Sequence, residues 1–317
     1  MITSSLHRRP AVAALAVAAA LVAVACKKNE SPKPALAAPA ADPWGAASPP
    51  STAGSLVVPF LYEATKDGHS VSLLGTIHAG VDAERQLPPW VLARLDAAPA
   101  FAMETDISDP ATVQLLVRTD GRTLADELGP EDFQLLKDAV GASLADGLSG
   151  MKPFAAMSTL ALKELPMTTP MDMVLFNRAK AAGKRLVFLE PVQAQLDAIE
   201  PYATAADIRA MLHHQAESRA ASQKMLADYA AGDGAALAAA FEDKVLWIAA
   251  GRDPARFGEF LDATLGKRNR SWVAPITALA EAGGGFVAVG AGHLVGPDNV
   301  PSLLEAQGFT VRRVTGP

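Results

Sequence analysis

From residue 56 onward, short apolar runs of strand type alternate with longer stretches whose apolar positions recur at helical spacing. Val58 to Ala64 and His69 to Thr76 are two such runs, and the Thr65-Lys66-Asp67-Gly68 between them predicts a hairpin, because Asp-Gly between β-type runs suits a tight turn. Leu87-Pro88-Pro89-Trp90 opens a short helix to Ala97, with proline at a first-turn position where its missing N–H costs nothing. Ala100 to Met103 is a further strand, ending at Glu104. Asp109-Pro110 starts another helix, Gly129-Pro130 punctuates the next, and the pattern stays helical with frequent breaks to about Lys163. Arg185 to Leu189 is a strand that ends in Glu190-Pro191. Residues 204–231 read as one long amphipathic helix, and Phe241 to Ala250 and Phe257 to Leu265 continue the helical block. The alternation predicts an α/β (α+β) fold: a central, partly parallel sheet with an N-terminal hairpin, covered by many helices.

Two of the apolar runs end alike, in Gly75-Thr76-Ile77-His78 and in Gly290-Ala291-Gly292-His293. Each is G-x-x-H, with glycine where a strand turns sharply into a loop, either at φ > 0 or where another group approaches closely. In open α/β sheets, ligands bind at the carboxyl edge of the strands, so histidines from opposite ends of the chain converge there. His78, Glu104, Glu190 and His293 each follow a short apolar run, which puts all four along that edge.

Composition adds location and excludes one class of partner. The 317 residues carry a net charge of −6, which becomes −8 without Arg8 and Arg9, and no basic footprint for nucleic acid is present. Residues 1–26 read as a signal: His7-Arg8-Arg9, then an apolar run from Ala11 to Val24, too short for a comfortable membrane span. Its end, Ala23-Val24-Ala25-Cys26, resembles a bacterial lipoprotein signal in which the cysteine is acylated. Cys26 is the sole cysteine, so neither an intramolecular disulfide nor a thiolate metal site is available. Residues 27–55, rich in Pro, Ala and Ser, form a flexible tether, and residues 56–317 the folded domain. The expected location is the periplasmic face of the cell envelope, with Lys27 favouring the outer membrane; a secreted or periplasmic protein cut at Ala-x-Ala is the alternative.

Two further patterns invite chemistry and fall short of it. His213 and Glu217 have the i, i+4 spacing of metal ligands but lack the H-E-x-x-H order, and read as solvated or lid-facing residues. Gly290-x-Gly292 and Gly296 suggest a phosphate-binding turn, but no acidic residue follows in a full βαβ unit.

Leu74-Gly75-Thr76-Ile77-His78, Glu104, Asp172 in Met-Asp-Met-Val-Leu, Leu189-Glu190 with Gln195, Arg268-Asn269 with Trp272, and Val289-Gly290-Ala291-Gly292-His293-Leu294-Val295-Gly296-Pro297-Asp298 together resemble the TraB/GumN family, which is similar to the Tiki-type metalloproteases. The resemblance covers roughly residues 56–315, departing at Tyr62, Met171 and Asn299. It implies a metal-dependent hydrolase, with peptide or another small substrate, centred on the two G-x-x-H histidines and a glutamate. On that reading His78, Glu104 and His293 are metal ligands, Glu190 is the general base, and Arg268 and Asn269 stabilise charge or orient substrate; the two glutamate roles are exchangeable. Two imidazoles and a carboxylate suit Mn, Co, Fe or Zn. The alternatives are a metal-free, esterase-like hydrolase, and a non-catalytic envelope protein that binds a ligand or helps handle polysaccharide.

Overall fold

The computed structural model describes residues 55–106, 108, 109 and 111–317; the expected signal and the expected tether up to residue 54 lie outside the described residues. Among the described residues, six strands form one sheet: β1 (Phe60–Lys66), β2 (His69–Thr76), β3 (Ala100–Met103), β4 (Arg185–Phe188), β5 (Gly285–Gly290) and β6 (Thr310–Arg313), in the order β4-β3-β5-β2-β1-β6. β1 and β2 are the expected hairpin, with Asp67 at φ 51° and Gly68 at φ 79°, the pair of positive values that a two-residue turn matching strand twist requires. β2, β5, β3 and β4 run parallel, so their carboxyl ends share one edge.

The central strands β3 and β5 are buried on both faces, which is why β5 reads as an unbroken apolar run rather than an alternating one. Leu74, Phe101, Met103, Phe286 and Ala288 point into the larger core. Their neighbours Leu73, Ala100, Ala102, Val287 and Val289 pack on the opposite side against Trp272, Ile276, Leu279 and Leu304. The helices Lys267–Glu281 and Val300–Ala306 therefore cover one face and most of the other helices cover its reverse, a mixed α/β architecture in three layers.

Two helical readings change. Residues 204–231 are two helices, Ala205–His213 and Gln215–Ala231, broken at His214 (φ −121°, ψ 42°), where the Gln215 side chain takes the carbonyl of Leu212. One apolar stripe runs across the break because both pieces face the larger core. The segment Phe257–Leu261 continues through a π-helical turn, Asp262–Gly266, directly into Lys267–Glu281. The i, i+4 pair is absent, since His213 bonds Asp132 at 2.8 Å on the neighbouring helix and His214 stands 3.9 Å from Glu217.

Candidate functional site

Parallel strands deliver the four polar residues to one edge, as their positions after the apolar runs predict. Glu104 directly follows β3, and the ladder continues past β4 through Glu190 N–H to Glu104 C=O at 3.0 Å, which makes the two glutamates neighbours. Thr76 at the end of β2 is in register with Gly290 at the end of β5, so His78 and His293 leave adjacent strands. His293 sits in the 3-10 turn Ala291–Leu294. Neither glycine that starts a G-x-x-H turn has positive φ; both permit close approach. A Cβ on Gly75 would stand 3.0 Å from the Ala291 backbone, and one on Gly290 would stand 3.3 Å from Glu104 Oε1, which accepts the Gly290 N–H at 2.8 Å.

His78, Glu104, Glu190, Arg268, Asn269 and His293 are all buried; all but His78 are linked in one hydrogen-bond network, and His78 stands beside it on Asp172. Arg268 lies in the first turn of Lys267–Glu281, and its guanidinium uses Nε and Nη2 on Glu190 Oε1 (2.8 and 2.6 Å) and Nη2 on Glu104 Oε2 (2.7 Å). Its Nη1 donates to the Thr264 carbonyl in the π-helical turn at 3.1 Å and to His293 Nε2 at 3.2 Å. The guanidinium lies 4.9 Å over the Trp272 ring, and Trp272 Nε1 donates to Glu190 Oε2 at 3.3 Å. Gln195 Nε2 donates to Glu104 Oε2 at 2.8 Å. A buried charge without partners is expensive; here the Arg268 guanidinium is shared between two carboxylates.

The histidines are held from behind by different groups. His78 Nδ1 bonds Asp172 Oδ2 at 2.7 Å, and Thr76 Oγ1 donates to the other oxygen of that carboxylate at 2.6 Å. His293 Nδ1 bonds Asn269 Oδ1 at 2.6 Å. Burial pulls His78 down, yet the charge and hydrogen bond of Asp172, with Glu104 beyond, leave it raised from its ordinary value. Burial dominates at His293, with Arg268 adding to it, and takes the ring down to about 3. Burial works to raise Glu104, but Arg268, His293 and the Gly290 N–H outweigh it and hold the carboxyl at about 2. Glu190 goes the other way: burial raises it, and Arg268 offsets only part.

A pocket opens over this network, with Thr76, His78, Glu104, Arg268 and His293 as its polar floor. Its walls are apolar and come from four helices and the π-helical turn, among them Leu162, Ile199, Met225, Leu237, Phe241 and Leu265. Glu190 is set back behind Arg268 and does not line it. In the sequence, Asp172, Gln195 and Trp272 stand out only through the motif resemblance, and Thr76 carries no chemical signal of its own. An acid in the first turn of Met171–Ala181 reads from sequence as a helix-dipole partner, and only the fold turns it toward His78.

The donor types at the pocket, two imidazoles and a carboxylate, are those a divalent cation takes. His78 Nε2 is buried without a hydrogen-bond partner, and both Nδ1 atoms are occupied from behind, which turns Nε2 of each ring to the pocket side, where that of His293 meets Arg268 Nη1. Glu104 adds an ionised carboxylate 3.7 Å from His293 Nε2. Among the described residues, no three His, Cys, Asp or Glu side chains stand close enough to enclose an ion. The reason is visible in the contacts: Arg268 donates to both Glu104 and His293, so a cation and the guanidinium compete for the same two groups.

A family model described as the TraB/PrgY/gumN family matches residues 60–313, which takes in all six strands and every residue of the network. No curated protein and no solved structure matches the chain.

Proposed function

The chain belongs to the TraB/PrgY/gumN family, and on that premise we propose that it is a metal-dependent hydrolase, most readily a peptidase, held at the cell envelope through Cys26. The observation that carries the reading is the partnerless, buried Nε2 of His78, set on a pocket floor beside His293, Glu104 and Arg268. His78, His293 and Glu104 would hold a Mn, Co, Fe or Zn ion, which when bound polarises a carbonyl and acidifies water. The chain's own residues do the rest. Arg268 supplies positive charge where oxygen becomes negative as water adds to the carbonyl carbon. Glu190, raised by burial and set behind Arg268, serves as general base once the guanidinium moves off it onto the developing oxyanion, taking the water's proton and returning it to the leaving group as the acyl bond breaks. Glu104, held low, stays ionised toward a cation. The apolar walls favour a substrate that places an apolar group beside the scissile bond.

The Arg268 contacts favour a second reading without metal, in which His78, oriented by Asp172, activates water directly and activity survives a chelator. Elemental analysis and peptide hydrolysis of the wild type, Glu104→Ala and Glu190→Gln separate the cases. Glu190→Gln is expected to retain metal and lose turnover by about 10²- to 10⁴-fold, the usual worth of a general base. Glu104→Ala should lose both. Turnover retained in Glu190→Gln reduces Glu190 to an anchor for Arg268, and a wild type that purifies without metal yet hydrolyses peptide selects the second reading.

A further inference from the structure

Asn269 is engaged at both ends of its amide: Oδ1 accepts from His293 Nδ1 at 2.6 Å, and Nδ2 donates to the backbone carbonyl of Asp298 at 2.9 Å. With Oδ1 toward the ring, Nδ1 carries the proton and Nε2 the lone pair. The Arg268 Nη1 donation to Nε2 requires the same tautomer. Were the amide turned over, its N–H would face Nδ1, the ring proton would move to Nε2, and two donors would oppose each other there. The Asp298 carbonyl, by fixing the amide, thus acts with Arg268 Nη1 to keep the His293 lone pair on the pocket.

Asp298 occupies a backbone position that suits glycine, at φ 50°, two residues after Gly296 at φ 75°. Its carboxylate is taken by Arg270 Nη1 at 2.7 Å, while Arg270 Nη2 reaches Asp262 Oδ1 at 2.5 Å in the π-helical turn. All three side chains are exposed, and ion pairs so placed add little stability. A charged residue at a left-handed position, tied down by bonds of small stabilising worth, is explained by aim.

We infer that Arg270 and Asp298 are positioning residues: the Asp262–Arg270–Asp298 bridge fixes the turn after His293, so that the Asp298 carbonyl locks Asn269 and Asn269 holds His293 with its Nε2 lone pair toward the pocket. The inference rests on His293 belonging to the site, and its readout does not depend on turnover. Long-range ¹H–¹⁵N spectra of the full, metal-free chain labelled at histidine distinguish ring tautomers directly. Wild type should show His293 in the Nδ1–H form alone. Arg270→Ala and Asp298→Gly, the latter easing the backbone and so expected to fold, should show mixed tautomers, and Arg270→Lys should restore the single form. If the chain hydrolyses peptide, kcat should fall roughly fivefold in the first two with KM unchanged, the worth of one neutral hydrogen bond. A single Nδ1–H tautomer in both Arg270→Ala and Asp298→Gly overturns the inference, whether or not the wild type is a hydrolase.

Discussion

The two G-x-x-H turns end adjacent parallel strands in register, yet the chain treats their histidines differently. His78 is backed by a carboxylate, Asp172, and leaves Nε2 without a partner; His293 is backed by a neutral amide, Asn269, and has Nε2 capped by a guanidinium. The motif delivers an imidazole to the sheet edge, and the surroundings of each ring push its proton affinity in opposite directions. At His78 the Asp172 carboxylate opposes the effect of burial and raises the ring, whereas at His293 burial and Arg268 together lower it. Two like rings would repel if both were protonated, and the unlike supports avoid that.

The comparison breaks most completely if the two rings do not act together. His78→Ala and His293→Ala should each reduce peptide hydrolysis by about 10³-fold or more, and the double variant should fall little further, because residues that work as a unit are strongly non-additive. Metal content measured alongside should drop in each single variant. Full metal occupancy in either one, or losses that simply add, would separate the two turns into independent structural features.

Asp172→Asn makes the support of His78 like that of His293. A carboxylate behind a ligating ring is typically worth about 10- to 100-fold in metal affinity or activity. Asp172→Asn should cost that much in both, with thermal stability little changed, since the amide still accepts from Thr76 or donates to it. An unchanged affinity would mean that the carboxylate serves only to hold β2 against the helix Met171–Ala181.

Much of this was legible in sequence, for a definite reason. His78, Glu104, Glu190 and His293 each follow an apolar run, and in a parallel sheet every such position reaches the same edge. Asp67-Gly68 marked the hairpin because only residues tolerant of positive φ fit that turn. What stayed hidden depends on tertiary pairing. Asp172 lies 94 positions from His78 and Gln195 lies 91 from Glu104, and no local spacing relates them. The glycines of the two turns were readable as necessary but not as to cause, since close approach to Ala291 and Glu104, rather than a left-handed backbone, is what they supply. The π-helical turn that gives Arg268 the Thr264 carbonyl leaves no apolar period to detect.

The smallest expected effect is on the pH dependence of stability, and here the two rings should differ in sign. His293 falls to about 3 in the folded protein from an unfolded value of 6.5, so between those limits the unfolded chain binds the extra proton. Its contribution is complete above pH 6.5 and is lost as pH falls toward 3, with a slope of at most about 1.4 kcal/mol per pH unit for one proton. His78 is raised above 6.5, so the folded chain binds the extra proton; its contribution is complete below 6.5 and is lost as pH rises through the folded value. Urea unfolding of chelator-treated protein from pH 4 to 9 would read both limbs. His293→Gln should flatten the acid limb and leave the alkaline one, while His78→Gln should do the reverse. If both substitutions flattened the same limb, Asp172 at one ring and burial with Arg268 at the other would not be pushing the two in opposite directions.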